Sequence, residues 1–381
     1  MMSRLREAAA TGPSLLVSGA RQVGKTSLLR QAFPDATYIT FDNLLNVASA
    51  QEAPQAFLDR FSGPVILDEV QYVPSLFPAL KERIDADRDT AGRWLLTGSQ
   101  RFELMTKVAE SLAGRIALFH LETLSASELR AEASIPPAAI RGQHWLGGYP
   151  ELWKSPGIAR SSWYEDYIRT YIERDLAALV QVRNLVDFRR FLGLLAARAG
   201  QLVNLTDIGR ACGVTNNTTK TWLAALEATG LVYALQPYFT NVEKRLIKSP
   251  KVYFADTGLL TALIGIETAE QLQSSPMVGQ IWENFTFTEL VKNGIGAPGK
   301  DLFFYRDHAG TEMDFVIQKA EGLELIEAKY SERIRSDRLS FSKVASTLSV
   351  PVICARVAAP TGQAIPLPMD GYDIYDPRYC A

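Results

Sequence analysis

The sequence predicts an α/β protein in three parts: a phosphate-loop domain on a parallel sheet, a helical middle with a winged helix, and a smaller C-terminal α/β part. Three observations predict it. The apolar run Leu15-Leu16-Val17 feeds directly into Gly19-Ala20-Arg21-Gln22-Val23-Gly24-Lys25-Thr26, which reads as a strand, a phosphate loop and the start of a helix. Between residues 205 and 230 a short helical segment, a glycine and a second helical segment follow one another, the order of a helix-turn-helix. Near the end, Glu312–Ile317 and Leu323–Lys329 flank a turn and finish in charged residues, as a strand pair with a polar tip does.

At 381 residues the chain is too long for one ordinary core, so two or three domains are expected. The formal net charge of −2 provides no global field that would draw the chain onto nucleic acid, so any such binding rests on local patches. Cys212, Cys354 and Cys380 are far apart, as are His120, His144 and His308. That spacing argues against a zinc site or a disulfide framework and fits a reducing cytoplasm. Residues 1–20 have the basic start and small-apolar run of a secretory leader, but cleavage after Ala20 would cut through the phosphate loop, so no leader is expected. No stretch of about 18 uncharged apolar residues occurs, and no membrane span is expected.

In the loop, glycines let successive N–H groups turn toward the β- and γ-phosphates of a nucleotide. Lys25 adds a point charge, the Thr26 hydroxyl is a Mg²⁺ ligand, and the helix from Ser27 to Ala32 sets its positive end against the same phosphates. The nucleotide contacts expected are therefore Gly19, Ala20, Arg21, Gln22, Val23, Gly24, Lys25, Thr26 and Ser27. Hydrolysis requires a second element. The strand Val65-Ile66-Leu67-Asp68-Glu69 ends in two carboxylates: Asp68 for the Mg²⁺ water shell and Glu69 as general base toward the attacking water. A third strand, Trp94–Thr97, runs into Gly98-Ser99-Gln100. Its polar tip would sense the γ-phosphate through Ser99, with Thr97 the next candidate. This order matches AAA-type ATPases with a strand inserted between the first two, which need an arginine on the transferring phosphoryl group. Arg115, in Ser111-Leu112-Ala113-Gly114-Arg115, and Arg174 are the candidates, each against the plain alternative of a surface ion pair.

Residues 150–185 are aromatic and charged at helical spacing, with Trp163, Tyr167 and Tyr171 followed by Glu173-Arg174-Asp175, and read as a helical lid or linker. Next, Leu205-Thr206-Asp207-Ile208 opens a short helix that Gly213 breaks. Thr215 or Asn216 caps a second helix, which carries Trp222, Leu223 and Leu226 inward and ends at Gly230. The segment Leu231–Pro237, a basic hairpin (Lys244, Arg245, Lys248, Lys251) and Val252–Phe254 would form the wing. On DNA, Asn216, Asn217, Thr219 and Lys220 would face a major groove with the wing on phosphates. Winged helices also serve as protein-contact modules.

In the C-terminal third, Glu327 and Lys329 share a strand face with Leu323 and Leu325, so that face turns from apolar to charged at its end. Asp314 lies on the neighbouring strand, and a helix from Gly279 to Lys292 places Glu283 on the side of Phe287 and Leu290. Three carboxylates and a lysine suit metal-assisted phosphodiester cleavage. Asp314 and Glu327 would hold Mg²⁺ with help from Glu283, and Lys329 would steady the water or the developing charge. The alternative is a solvated hairpin edge.

The motifs above, with Gly147-Gly148-Tyr149-Pro150, Lys251-Val252-Tyr253-Phe254-Ala255-Asp256-Thr257-Gly258-Leu259, Trp282-Glu283-Asn284-Phe285, Glu312-Met313-Asp314-Phe315 and Glu327-Ala328-Lys329, resemble over nearly the whole length a widespread prokaryotic family of AAA-type P-loop ATPases. Its C-terminal domain of unknown function includes a winged helix and a restriction-endonuclease-like fold. The resemblance implies an ATPase core and a nuclease-type fold, without implying nuclease activity. The segment before Leu15 is shorter than the family usually carries, which bears on any adenine-side contact. The expected organisation is an ATPase domain over 1–140, a lid or linker over 141–186, a winged helix over 187–265 and a restriction-endonuclease-like domain over 266–381. The expected activity is Mg²⁺-dependent ATP hydrolysis that controls DNA engagement, with a metal-dependent nuclease site at the C-terminus. Two other readings stand beside it: an ATP-driven signalling or assembly switch on an inactive nuclease-like platform, and a DNA-binding loader that does not cut. An arginine acting in trans would require a homo-oligomer.

Overall fold

Leucine- and valine-rich runs without polar alternation form strands buried on both faces, and the three central strands of the N-terminal sheet are built from them. A computed structural model describes residues 1–99, 111–155, 157–177, 182, 184–239, 249–331, 333–348, 350–363, 365–369 and 371–379. It divides into two compact units, residues 1–122 with the short segment 228–230, and residues 123–227 with 231–381.

In the first unit, β1 (Ser14–Gly19), β2 (Thr37–Thr40), β3 (Val65–Asp68), β4 (Trp94–Ser99) and β5 (Ile116–His120) form a sheet in the order β2-β3-β4-β1-β5, every neighbouring pair parallel. Successive side chains feed opposite faces. Leu16, Leu67 and Leu96 pack with Phe57, Phe77 and Leu80 on one side, and Leu15, Val17, Ile66 and Leu95 with Leu5 and Leu29 on the other. Because all strands run the same way, the C-terminal ends of β1, β3 and β4 meet at one edge. Insertion of β4 between β1 and β3 brings Ser99 between the loop and Asp68, as the strand order in the sequence anticipates.

In the second unit the helices Leu185–Ala196 and Leu205–Cys212 start at Asn184 and Asn204, whose side chains accept backbone N–H groups. Gly213 ends the second of these in a left-handed conformation. The helix Asn216–Ala228 follows, anchored where the Thr219 hydroxyl donates to the Leu205 carbonyl at 3.1 Å. Strands β6 (Val232–Leu235) and β7 (Lys251–Phe254) pair antiparallel. Of the expected wing residues, Lys244, Arg245 and Lys248 lie outside the described residues, as does Gln100 at the tip of β4. A mixed sheet follows: β8 (Leu302–Arg306), β9 (Glu312–Gln318), β10 (Leu323–Ala328), β11 (Val352–Ala358), β12 (Leu367–Met369) and β13 (Tyr372–Tyr375), in the order β12-β13-β11-β10-β9-β8. The helix Val278–Lys292 lays Phe287 and Leu290 onto it, and the Phe287 ring stacks on Tyr253 at 4.4 Å.

The aromatic residues of the middle segment turn inward. Trp163 and Tyr167, on the helix Arg160–Tyr167, pack around Tyr149, and Tyr171 continues the cluster on the π-helical stretch Ile168–Leu176. Beside them lies Asp256, 1% exposed. Its carboxylate accepts the Gly148 N–H (2.7 Å), the Tyr164 hydroxyl (2.9 Å), the Leu259 N–H (3.0 Å) and the Thr123 hydroxyl (3.1 Å). Burial, with Asp256 close by, raises the Tyr164 pKa well above its ordinary value, so the hydroxyl remains a donor. Gly258 is glycine because a Cβ there would run into the Tyr164 hydroxyl and the Leu146 carbonyl. The two glycine-containing motifs around 147–150 and 256–258 are thus two halves of one buried joint. Asp256→Ala would leave these buried donors unpaired. It is expected to cost about 3 kcal/mol or more, a fall of roughly 6–12 °C in the melting midpoint by calorimetry; an unchanged midpoint would show that the joint is not structural.

Candidate functional site

The phosphate loop leaves β1 through Gly19, whose φ of +150° and close approach to the Leu121 carbonyl leave no room for a Cβ. Gly24, left-handed at φ 97°, starts the helix Lys25–Ala32. Between them Gln22 also adopts a positive φ of 63°, a strained setting of the kind found at ligand-binding loops. Lys25 is 5% exposed, and its ammonium donates to the carbonyls of Ala20 (2.9 Å) and Gly19 (3.2 Å). Burial lowers its pKa, opposed by the charges of Glu69 and Asp68. A cavity of about 490 Å³ opens beside the first turn of the helix, lined by Thr26, Ser27, Arg30, Phe33 and Tyr38 among others.

Asp68 is buried at the end of β3 and is the centre of this edge. One carboxylate oxygen accepts the Thr26 hydroxyl at 2.7 Å and the Thr97 hydroxyl; the other accepts the Tyr38 hydroxyl at 2.8 Å. Burial, together with this bond and the charge of Asp68, pushes the Tyr38 pKa up to about 12, so it donates throughout the neutral range. The Thr26 hydroxyl and the Asp68 carboxylate, already in contact, are hard oxygen donors of the kind Mg²⁺ takes alongside waters and phosphate oxygens, so the donor set fits that ion.

The strand stops at Asp68, one residue short of the sequence reading, because Glu69 turns into the left-handed region (φ 59°, ψ 46°). Such a conformation in a non-glycine residue costs about 1–3 kcal/mol. It is held by the Glu69 N–H donating to the Thr97 hydroxyl at 3.1 Å. The side-chain amide of Gln71 donates to the Glu69 carboxylate, and its carbonyl accepts the Ser99 N–H at 3.3 Å. Thr97 is thus committed in both directions. Ser99 is 2% exposed, and its hydroxyl has no hydrogen-bond partner among the described residues.

The C-terminal carboxylates are arranged differently. Glu283 lies on the helix Val278–Lys292, Asp314 on β9 and Glu327 near the end of β10, with Lys329 just past it. Among the described residues no group of three acidic, histidine or cysteine side chains is placed to hold a metal ion. Each carboxylate instead has partners within the chain. Glu327 accepts the Lys329 ammonium at 2.7 Å and the Ser340 N–H at 3.1 Å, and Asp314 accepts the Ala328 N–H at 2.9 Å. Glu327 is 5% exposed, whereas the Lys329 side chain is 38% exposed, so only the carboxylate is withdrawn from solvent.

Lys251 departs from its expected place on the wing against phosphates. It is 2% exposed, because the residues of β7 are buried along the whole strand. Its ammonium lies 2.5 Å from Glu312, 2.9 Å from Glu283 and 3.8 Å from Asp314. Burial alone would lower its pKa, and the three carboxylates outweigh that and raise it. The Tyr253 hydroxyl donates to Glu283 at 2.6 Å. Burial and the nearby Asp314 push the Glu283 carboxyl up, against Lys251.

Residues 11–130 match the model of an AAA domain, residues 137–270 that of a domain of unknown function (DUF8612), and residues 278–369 that of a second domain of unknown function (DUF4143). The uncharacterized protein Rv2008c of Mycobacterium tuberculosis is 34% identical over 319 residues, which is 83% of this chain and 70% of that protein. The uncharacterized protein Mb2031c of Mycobacterium bovis matches with the same figures. This chain belongs to their family. The chain also has a distant likeness to the Walker-type ATPase PABY2304 of Pyrococcus abyssi, at 17% identity and a TM-score of 0.42, over 69% of this chain and 94% of that one.

Within the AAA domain, Arg115 makes a two-pronged ion pair with Asp85 (2.7 and 2.9 Å). The hydrogen bonds from Arg115, then Arg88, hold the Asp85 carboxyl far below the usual carboxylate range. The side chain of Arg174 lies outside the described residues. Sequence reasoning missed Tyr38, Gln71 and Glu312. Gln71 and Glu312 carried a signal, the one two residues beyond Glu69 in Asp68-Glu69-Val70-Gln71 and the other at the head of Glu312-Met313-Asp314-Phe315; Tyr38 carried none. Thr97→Val removes a donor to Asp68 and the acceptor for Glu69, and should destabilise the domain by about 1–3 kcal/mol. Ser99→Ala should shift stability by less than about 0.5 kcal/mol. Equal losses in thermal unfolding would show that the two hydroxyls are not distinguished in this way.

Proposed function

We propose that the protein is a Mg²⁺-dependent ATPase whose nucleotide cycle controls its hold on DNA. The observation that carries the ATPase reading is the Asp68 carboxylate bonded at once to Thr26 of the loop helix and Thr97 of β4, with Glu69 held just beyond it by a left-handed turn. In this reading the loop N–H groups and Lys25 bind the β- and γ-phosphates. Thr26 and Asp68 would hold Mg²⁺, which when bound neutralises charge on the phosphate oxygens. Glu69 takes a proton from the attacking water while Gln71 fixes its carboxylate. Ser99 offers its unused hydroxyl to the γ-phosphate. Arg115, released from Asp85, would reach the nucleotide of a second copy of the chain, which makes the active form a homo-oligomer.

The helix pair Leu205–Cys212 and Asn216–Ala228, with β6 and β7, is read as a winged helix within 187–265, and the sheet β8–β13 with the helix Val278–Lys292 as a restriction-endonuclease-like fold within 266–381. Of the expected groove residues, Asn217 and Lys220 are exposed on the second helix and suit a groove, Asn216 is half-buried, and Thr219 is buried with its hydroxyl on the Leu205 carbonyl and does not reach one. The C-terminal carboxylates, already paired with Lys251, Arg306 and Lys329, are read as part of a platform that engages DNA without cutting it. One observation favours a protein partner instead. The cavity of about 590 Å³ at the start of the second helix is lined by Asn184, Asp187, Thr215, Asn217, Thr218 and Trp222 among others, and among the described residues no cation lines it.

Lys25→Ala should lower ATP turnover by at least about 100-fold in a steady-state phosphate-release assay; unchanged turnover overturns the loop assignment. Glu69→Gln should slow hydrolysis by about 100- to 10,000-fold while nucleotide affinity holds, and loss of binding instead would remove the general-base role. Duplex DNA should stimulate wild-type turnover several-fold. The absence of any stimulation by single- or double-stranded DNA would favour the protein-contact switch.

A further inference from the structure

We propose that Lys251 occupies the cation position of the C-terminal carboxylate cluster, so that this cluster does not load a divalent metal and the fold carries no metal-dependent nuclease activity. The proposal rests on the restriction-endonuclease-like reading of residues 266–381, in which Glu283, Asp314, Glu327 and Lys329 would be the cutting residues, and it is independent of the ATPase assignment.

The geometry is that of an internal counter-ion. Glu283 comes from a helix, Glu312 and Asp314 from β9, and the ammonium of Lys251 enters among all three at 2.9, 2.5 and 3.8 Å. The remaining sides are occupied as well. The Tyr253 hydroxyl donates to the same Glu283 oxygen as Lys251, the Arg306 guanidinium lies 3.3 Å from Glu312, and the Phe304 ring faces the ammonium at 5.6 Å. Asp314 presents one oxygen toward Lys251 and gives the other to the Ala328 N–H.

A divalent ion on Asp314 and Glu283 would stand within bonding distance of oxygens that already hold a full positive charge. In a site of low effective dielectric the two cations would repel strongly. Lys251 has no easy exit. It is 2% exposed, its backbone pairs with Leu235 in the β6–β7 ladder, and Leu202 bridges it on the other side. Glu327, the remaining ligand a metal would need, is turned to Lys329 and Ser340. A buried lysine among carboxylates supplies charge balance without coordination geometry, so the fold keeps its carboxylates without holding a Lewis acid.

The test is Mn²⁺ binding to the nucleotide-free full-length chain, followed by electron paramagnetic resonance and by the melting midpoint. Wild type and Asp314→Asn should bind Mn²⁺ identically and show no Mn²⁺-dependent difference in midpoint. Lys251→Met, which leaves the carboxylates without their cation, should melt lower in the absence of metal, gain one Mn²⁺ over wild type, and recover midpoint with Mn²⁺ but not with equal ionic strength of NaCl. An equivalent of Mn²⁺ bound by wild type and lost in Asp314→Asn overturns the proposal. So does DNA cleavage with Mg²⁺ or Mn²⁺ that Lys329→Ala abolishes. A folded Lys251→Met that gains no metal shows that Lys251 is not what excludes it. If Lys251→Met does not fold, the comparison of wild type with Asp314→Asn decides. Failure of the ATPase reading would leave every arm unchanged, because no nucleotide is present.

Discussion

A carboxylate withdrawn from water needs its lone pairs filled, and Asp68 satisfies that need with hydroxyls from three separate elements. Tyr38 comes from β2, Thr26 from the loop helix and Thr97 from β4. Because a buried anion with a missing donor is costly, each of these bonds fixes the position of the element that supplies it. The phosphate loop, the turn at Glu69 and the tip of β4 therefore form one rigid edge. The parallel strand order brings the three tips together, and the Asp68 bonds set their spacing.

Much of this was legible in the sequence. Apolar runs of the β1, β3 and β4 type announce strands buried on both faces, and polar residues at their ends announce chemistry. The glycine spacing of the loop reports a backbone constraint, and the antiparallel pair β9–β10 follows from a turn between two alternating runs. Other features rest on contacts between residues distant in the chain. Nothing local marks Tyr38 as a partner of Asp68 rather than a strand aromatic. The division of labour between Thr97 and Ser99 depends on which hydroxyl the neighbouring strand consumes. The left-handed turn at Glu69 is imposed by that same neighbour.

Lys251 shows the same limit more sharply. In the sequence it closes a run of basic residues, and composition assigns it to the wing. In the structure strand pairing turns it into the interior, where carboxylates from a helix and from β9 surround it. The sign of a residue's charge was readable, but the sign of its surroundings was not. Family membership adds no assignment here, since the mycobacterial relatives are themselves uncharacterized and two of the three matched domains are of unknown function.

The joint at Asp256 bears on the order in which the chain acquires its structure. Its partners Thr123, Gly148 and Tyr164 precede it by 133, 108 and 92 positions. The strands of the first unit all lie within its first 120 residues. During synthesis that parallel sheet is complete in sequence long before Asp256 leaves the ribosome. The glycine turn at 147–148 and the aromatic cluster must wait for the carboxylate that secures them, and loop closure over such separations is slow. A nascent chain would thus carry a finished parallel sheet while its aromatic cluster is still open, and that interval is when apolar surface is most exposed to aggregation.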